Sequence, residues 1–110
     1  MPRRIRYHER FRRDLATRVR WLAANRPAAE REHLRAALDA FMKRAAAHPG
    51  IGREIERRGT RSYRVSPISG RLPYLVWYVY DLADRRGPVS LLMILHEAQD
   101  RERFDEGDWD

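Results

Sequence analysis

The stretch PYLVWYVYD (Pro73–Asp81), followed after a short loop by VSLLMILHEAQDR (Val89–Arg101), decides how this chain is read. Two runs rich in aromatic and β-branched residues, joined through Ala83–Pro88 with Gly87 among them, form an antiparallel hairpin. On the first strand Leu75, Trp77 and Val79 face one way, and Tyr74, Val76, Tyr78 and Tyr80 the other. Strict alternation splits the second strand into Val89, Leu91, Met93 and Leu95 against Ser90, Leu92, Ile94 and His96. Both faces are then largely apolar, which is the pattern of strands covered on two sides. A small chain must find two covers for such a sheet.

Working outward, the N-terminal half supplies one cover. A short strand over 4–7 leads into a helix over 10–24, where Phe11, Leu15, Val19 and Leu22 repeat on one face. Asn25, Arg26 and Pro27 interrupt it, with Pro27 suited to the first position of a second helix. That helix, over 28–47, carries Leu34, Leu38, Phe41, Met42 and Ala45 and stops at His48, Pro49 and Gly50. The short break makes the two an antiparallel helical hairpin. Residues 52–59 read as a polar connector, 60–65 as a strand and 66–70 as a turn marked by Pro67 and Gly70. The expected fold is α+β, in the order β-α-α-β-β-β, with an antiparallel sheet and the helical hairpin on one face. At 110 residues this is a single domain over 1–110, ending in a charged tail over about 97–110 whose large apolar groups are Phe104 and Trp109.

Charge is uneven within the net +7. Residues 1–26 set nine arginines against Glu9 and Asp14; residues 97–110 set Arg101 and Arg103 against seven carboxylates. A basic body implies an anionic partner, either nucleic acid or an acidic protein, unless the arginines merely solvate the helices. There are no cysteines, hence no disulfide or thiolate metal site, as suits a reducing compartment. No apolar run reaches the ~18 residues of a membrane span, and no apolar signal core follows the basic N-terminus, so the expected location is the cytoplasm.

His8, His33, His48 and His96 are scattered and form no metal-ligand spacing. No phosphate-cradling glycine loop or nucleophile elbow occurs, so neither a metal nor a cofactor is expected. His96, where the last strand ends beside Glu97, either acts as an acid or base near neutral pH or simply caps the strand. Arg61, Arg64 and Arg71 can present guanidiniums to phosphate, although the odd offset of Arg61 and Arg64 puts them on opposite sheet faces. Trp21 stands about 120° from the first helix's apolar stripe, a partner contact or an ordinary flank. Tyr74, Tyr78 and Tyr80 either stack bases or pack the core.

Together these pieces resemble a RelE/ParE-superfamily toxin of a type II toxin–antitoxin system. HPGIGR (His48–Arg53) is similar to the P-x-I/L-G-R element of ParE-like members; SGRLPYLVWYVYD (Ser69–Asp81) and the LHxxxDR ending match the same branch. The resemblance implies a growth inhibitor acting on DNA gyrase, neutralised by a small antitoxin, with operator DNA reached only through that antitoxin. The alternative it leaves open is a RelE-like, ribosome-dependent mRNA endonuclease, with His96, Arg71, Arg61 and Glu97 as the catalytic candidates; an inactive, toxin-like interaction module is a third reading. Lysine is a frequent catalytic group among RelE-like ribonucleases, but the only lysine, Lys43, falls mid-helix, and arginine stays protonated and cannot replace it as a base. The ParE branch brings no identified active site with it. Antitoxin tails in this superfamily are typically acidic amphipathic segments that fold on binding. The expected contact surface is therefore Arg12, Arg20 and Trp21 on the first helix, with Val76, Leu92 and Ile94 on a sheet face left open as an apolar patch.

Overall fold

The computed structural model describes residues 2–97. Its elements run β1 (Ile5–Tyr7), α1 (Glu9–Asn25), α2 (Ala28–Ala47), a single 3-10 turn (Pro49–Ile51), β2 (Arg53–Arg58), β3 (Arg61–Pro67), β4 (Tyr74–Asp81) and β5 (Val89–His96). His8 caps α1, its Nδ1 accepting from the Arg10 N–H at 3.1 Å, so one of the helix's orphan donors is satisfied by a side chain. Pro27 stands one position before α2, as its N-cap rather than its first residue. At the other end the His48 N–H still reaches the Arg44 carbonyl at 2.7 Å, and Pro49 then ends the helix.

The five strands lie in the order β1-β5-β4-β3-β2. The α+β architecture is as expected, but the sheet differs from the sequence reading in two ways. It is mixed, because β1 runs parallel to β5 with Ile5 opposite Val89, while the other three pairings are antiparallel. The supposed connector over 52–59 contains a strand, β2, bulged between Glu54 and Glu56. REIERR has one apolar residue, Ile55, and so lacks the alternation that marks a half-buried strand. It is an edge strand, where charge and a bulge protect the unpaired side from foreign strands. Gly59, at φ +60°, is needed for the two-residue turn that joins Arg58 to its partner Arg61.

The apolar residues divide into two cores. On one face Tyr74, Val76, Tyr78 and Tyr80 of β4, with Val89, Leu91 and Ile94 of β5, meet Phe11, Leu22, Leu34, Leu38 and Phe41 of the helices. On the other, Trp77 and Val79 join Tyr63, Leu92, Met93 and Leu95. The tyrosines of β4 are therefore core residues. The β4 faces match simple alternation, whereas those of β5 do not. A register shift moves the pairing from Trp77↔Met93 to Tyr78↔Leu91, leaving Leu92 as an extra residue on β5. This corrects the expectation that Val76, Leu92 and Ile94 share an open patch. Val76 and Ile94 lie under the helices, Leu92 faces the opposite way, and all three are at most 4% exposed.

Candidate functional site

The HPGIGR element is a clamp between the helical hairpin and the sheet. The Tyr78 hydroxyl, on β4, accepts from the Gly52 N–H at 2.8 Å and donates to the Pro49 carbonyl at 2.6 Å. Burial pushes the Tyr78 hydroxyl above its ordinary pKa, while the Gly52 hydrogen bond opposes that shift. A Cβ on Gly52 would lie 2.7 Å from the Tyr78 hydroxyl and 2.9 Å from the Val65 carbonyl, so the backbone approaches as only glycine allows. From β3, Arg64 Nη1 donates to the carbonyls of Gly50 at 3.2 Å and Gly52 at 2.7 Å. Arg64 is thus occupied in holding the turn.

A concavity of about 540 Å³ lies beside the clamp, lined by Ile51, Gly52, Ile55, Val65, Leu75 and Trp77, and two concave surfaces involving the helices bear on function. The first is a groove of about 560 Å³ between α1 and α2, floored by Phe11, Leu15, Leu34, Leu38 and Met42 and bordered by Arg12, Arg31 and Arg35 together with the carboxylates of Glu32 and Asp39. Val19 and Tyr7 stand on it, 37% and 42% exposed. The Tyr7 hydroxyl reaches Met42 Sδ at 3.4 Å, and the Arg12 guanidinium lies 5.7 Å from the Tyr7 ring. Arg12 therefore belongs to the groove, whereas Arg20 is exposed and is not among its lining.

The second lies where α1 crosses the end of β5. His96 meets the Tyr74 ring edge-on at 5.7 Å between centroids, and the Arg18 guanidinium sits 5.2 Å from Trp21 and 5.5 Å from Tyr74. These groups, with Asp14, line a cavity of about 380 Å³. An adjoining hollow of about 340 Å³ adds His33, Arg26 and Glu30. Burial raises the Tyr74 pKa, with Arg18 acting the other way. Trp21 and His96, separated by much of the sequence, share this site; Arg18 and His33 were not singled out by periodicity, because they lie off the helices' apolar stripes.

The candidate nuclease residues do not assemble as a set. Arg71 is exposed in the turn before Tyr74, its N–H donating to Ser69 Oγ, and the Glu97 N–H donates to the Pro73 carbonyl at 2.7 Å. Both are thus at the His96 end. Arg61 is paired with Asp81, while His96 is paired with Tyr74. Those partners stand seven positions apart on β4, roughly 23 Å at the rise of a strand. His96 and Arg61 cannot act on one phosphate. Among the described residues no group of three metal-ligating side chains occurs, and no helix is long and apolar enough to cross a membrane.

A family model described as the ParE toxin of the type II toxin–antitoxin system, parDE, matches residues 5–101. The chain belongs to the ParE toxin family. Its match covers both helices, the clamp and all five strands, so the two concavities are features of a ParE-family toxin rather than of an unrelated α+β domain. As a type II toxin, the ParE-family chain has an antitoxin as its partner. No curated protein matches the sequence.

Proposed function

We propose that this ParE-family toxin inhibits growth by binding DNA gyrase, without catalysing a reaction of its own, and that its antitoxin docks in the groove between α1 and α2. The observation that supports the non-catalytic reading is the separation of Arg61 from His96 by the length of β4. Phosphodiester cleavage needs an acid or base and a cation converging on one phosphate, and the arginine-bearing strand β3 contributes no cation to the His96 end, which leaves Arg18 and the exposed Arg71 there. Arg64, the other candidate of β3, is held by its Nε to Ser62 and by its Nη1 to the carbonyls of Gly50 and Gly52.

The groove suits an acidic amphipathic segment. Its apolar floor takes one face of a helix, and the guanidiniums of Arg12, Arg31 and Arg35, which outnumber the carboxylates of Glu32 and Asp39, border the other. The proposed site is the hairpin's outer surface, with Arg12 inside the contact and Arg20 contributing only to the long-range field.

The cavity at the end of β5 supports a second reading as a ribonuclease, because His96 stands there beside Arg18 and Tyr74. Transcript ends mapped minutes after induction separate the two. The gyrase reading expects intact transcripts and equal toxicity from a folded His96→Ala variant; cleavage sites within translated codons, lost in that variant, would establish the nuclease instead.

A further inference from the structure

The groove between α1 and α2 holds a sulfur atom. Met42, on α2, forms part of its floor and packs against the helix-facing core while staying only partly buried. Its Sδ accepts from the Tyr7 hydroxyl at 3.4 Å, an exposed contact that fixes the thioether within reach of water. The chain has no cysteine, so its sulfur chemistry is confined to three methionines. Met93 stands in the core on the other sheet face, and Met1 lies outside the described residues. Among the described residues, Met42 is therefore the thioether that shares a surface with the proposed antitoxin site.

We infer that Met42 is a modification site whose oxidation stops the antitoxin from docking, an inference that rests on the groove being the antitoxin's site. A peroxide is the oxidant. A lone pair of Sδ attacks one peroxide oxygen, and an S–O bond forms as the O–O bond breaks. The hydroxide released takes the proton from the transferred oxygen and leaves as water. Sulfur loses two electrons and the peroxide gains them. The product, methionine sulfoxide, is polar where the thioether was apolar. The Tyr7 hydroxyl can turn from sulfur to the new oxygen and satisfy one of its lone pairs. An apolar helix face laid over the floor strips water from the rest, and a polar group buried without its partners opposes binding. The coupling runs both ways. A docked helix covers Met42 and shields it, so oxidation falls on toxin that its antitoxin has already left, and then hinders recapture. Enzymatic reduction of the sulfoxide resets the site.

The test treats full-length toxin with hydrogen peroxide, removes the peroxide, and titrates the toxin with untreated antitoxin by calorimetry. Cleavage after Arg35 and Lys43 isolates Met42 on peptide 36–43, which carries no other methionine. The expected result is one added oxygen on that peptide and a Kd raised about tenfold or more. Methionine sulfoxide reductase should restore the affinity, and bound antitoxin should slow the oxidation. Met42→Leu toxin, treated alike, should keep its affinity, and folded Met42→Gln should lose affinity without any oxidant. Peptide 36–43 left unoxidised in the free toxin would overturn the inference. So would unchanged affinity of the oxidised or Met42→Gln protein while Val19→Asp still weakens binding. Equal loss in peroxide-treated Met42→Leu would assign the effect to another residue, which also overturns it. If Val19→Asp itself binds as the parent does, the groove reading falls and takes the inference with it.

Discussion

Replacing Tyr78 by phenylalanine removes one oxygen from the clamp and leaves the ring in place against Phe41, with centroids 6.0 Å apart. Two hydrogen bonds vanish together, from the buried Gly52 N–H and to the Pro49 carbonyl. A typical intramolecular hydrogen bond contributes a net ~1 kcal/mol, and a buried donor left unpaired costs ~1–3 kcal/mol. These contributions overlap, since the unpaired Gly52 N–H is the lost bond seen from its other side. The expected destabilisation is therefore about 2–3 kcal/mol. For a domain of this size each kcal/mol lowers the melting temperature by ~4 °C, so the midpoint should fall by ~10 °C. Urea unfolding followed by tryptophan fluorescence measures this directly, with an unchanged slope expected because the surface exposed on unfolding is the same. A loss below ~0.5 kcal/mol would mean that water replaces the hydroxyl at Gly52, and the description of HPGIGR as a clamp would fail.

Gly52→Ala should destabilise by about 1–3 kcal/mol, because its Cβ meets the Val65 carbonyl as well as the Tyr78 hydroxyl and backbone must move; a stability unchanged in urea would contradict this. Alkaline pH gives an independent reading of the clamp. Burial raises the folded-state pKa of Tyr78 above its usual 10.0, so the native state holds a proton that the unfolded chain releases first. That stability is complete below about pH 10 and is lost as pH rises through the folded pKa, and Tyr78→Phe should flatten this part of the profile. In the groove, Val19→Asp should weaken antitoxin binding by ~30-fold or more, the effect of losing a central apolar contact; unchanged affinity by calorimetry would move the site elsewhere. Arg12→Glu should slow antitoxin association at low salt more than Arg20→Glu does, and the difference should shrink at high salt. Equal rates for both variants and the parent would show that the basic block is only solvated.

The readability of this fold from its sequence followed the strength of the local pattern. Tyr74, Val76, Tyr78 and Tyr80 announced β4 and its faces, because aromatic and branched residues recur with period two. Phe11, Leu22, Leu34, Leu38 and Phe41 announced the helices by their longer period. β2 was illegible for the opposite reason: an edge strand protected by arginine and glutamate looks like a loop. The β5 bulge was also hidden, since an unbroken apolar run from Leu91 to Leu95 contains no polar residue to mark the slip. The groove was half legible. Leu15 and Val19 stood on the α1 stripe, but only the docking of the helices leaves Val19 uncovered. The cavity at His96 depends on α1 crossing β5, a long-range event with no signature in the spacing of Arg18 or Trp21.

The central claim, a toxin that binds gyrase rather than cutting RNA, is tested most directly by supercoiling of relaxed plasmid with purified gyrase. The isolated chain should block supercoiling in proportion to its own concentration, folded His96→Ala should block it equally, and pre-incubation with antitoxin should restore it. Undiminished supercoiling at saturating toxin, with a chain that still arrests growth, would contradict it.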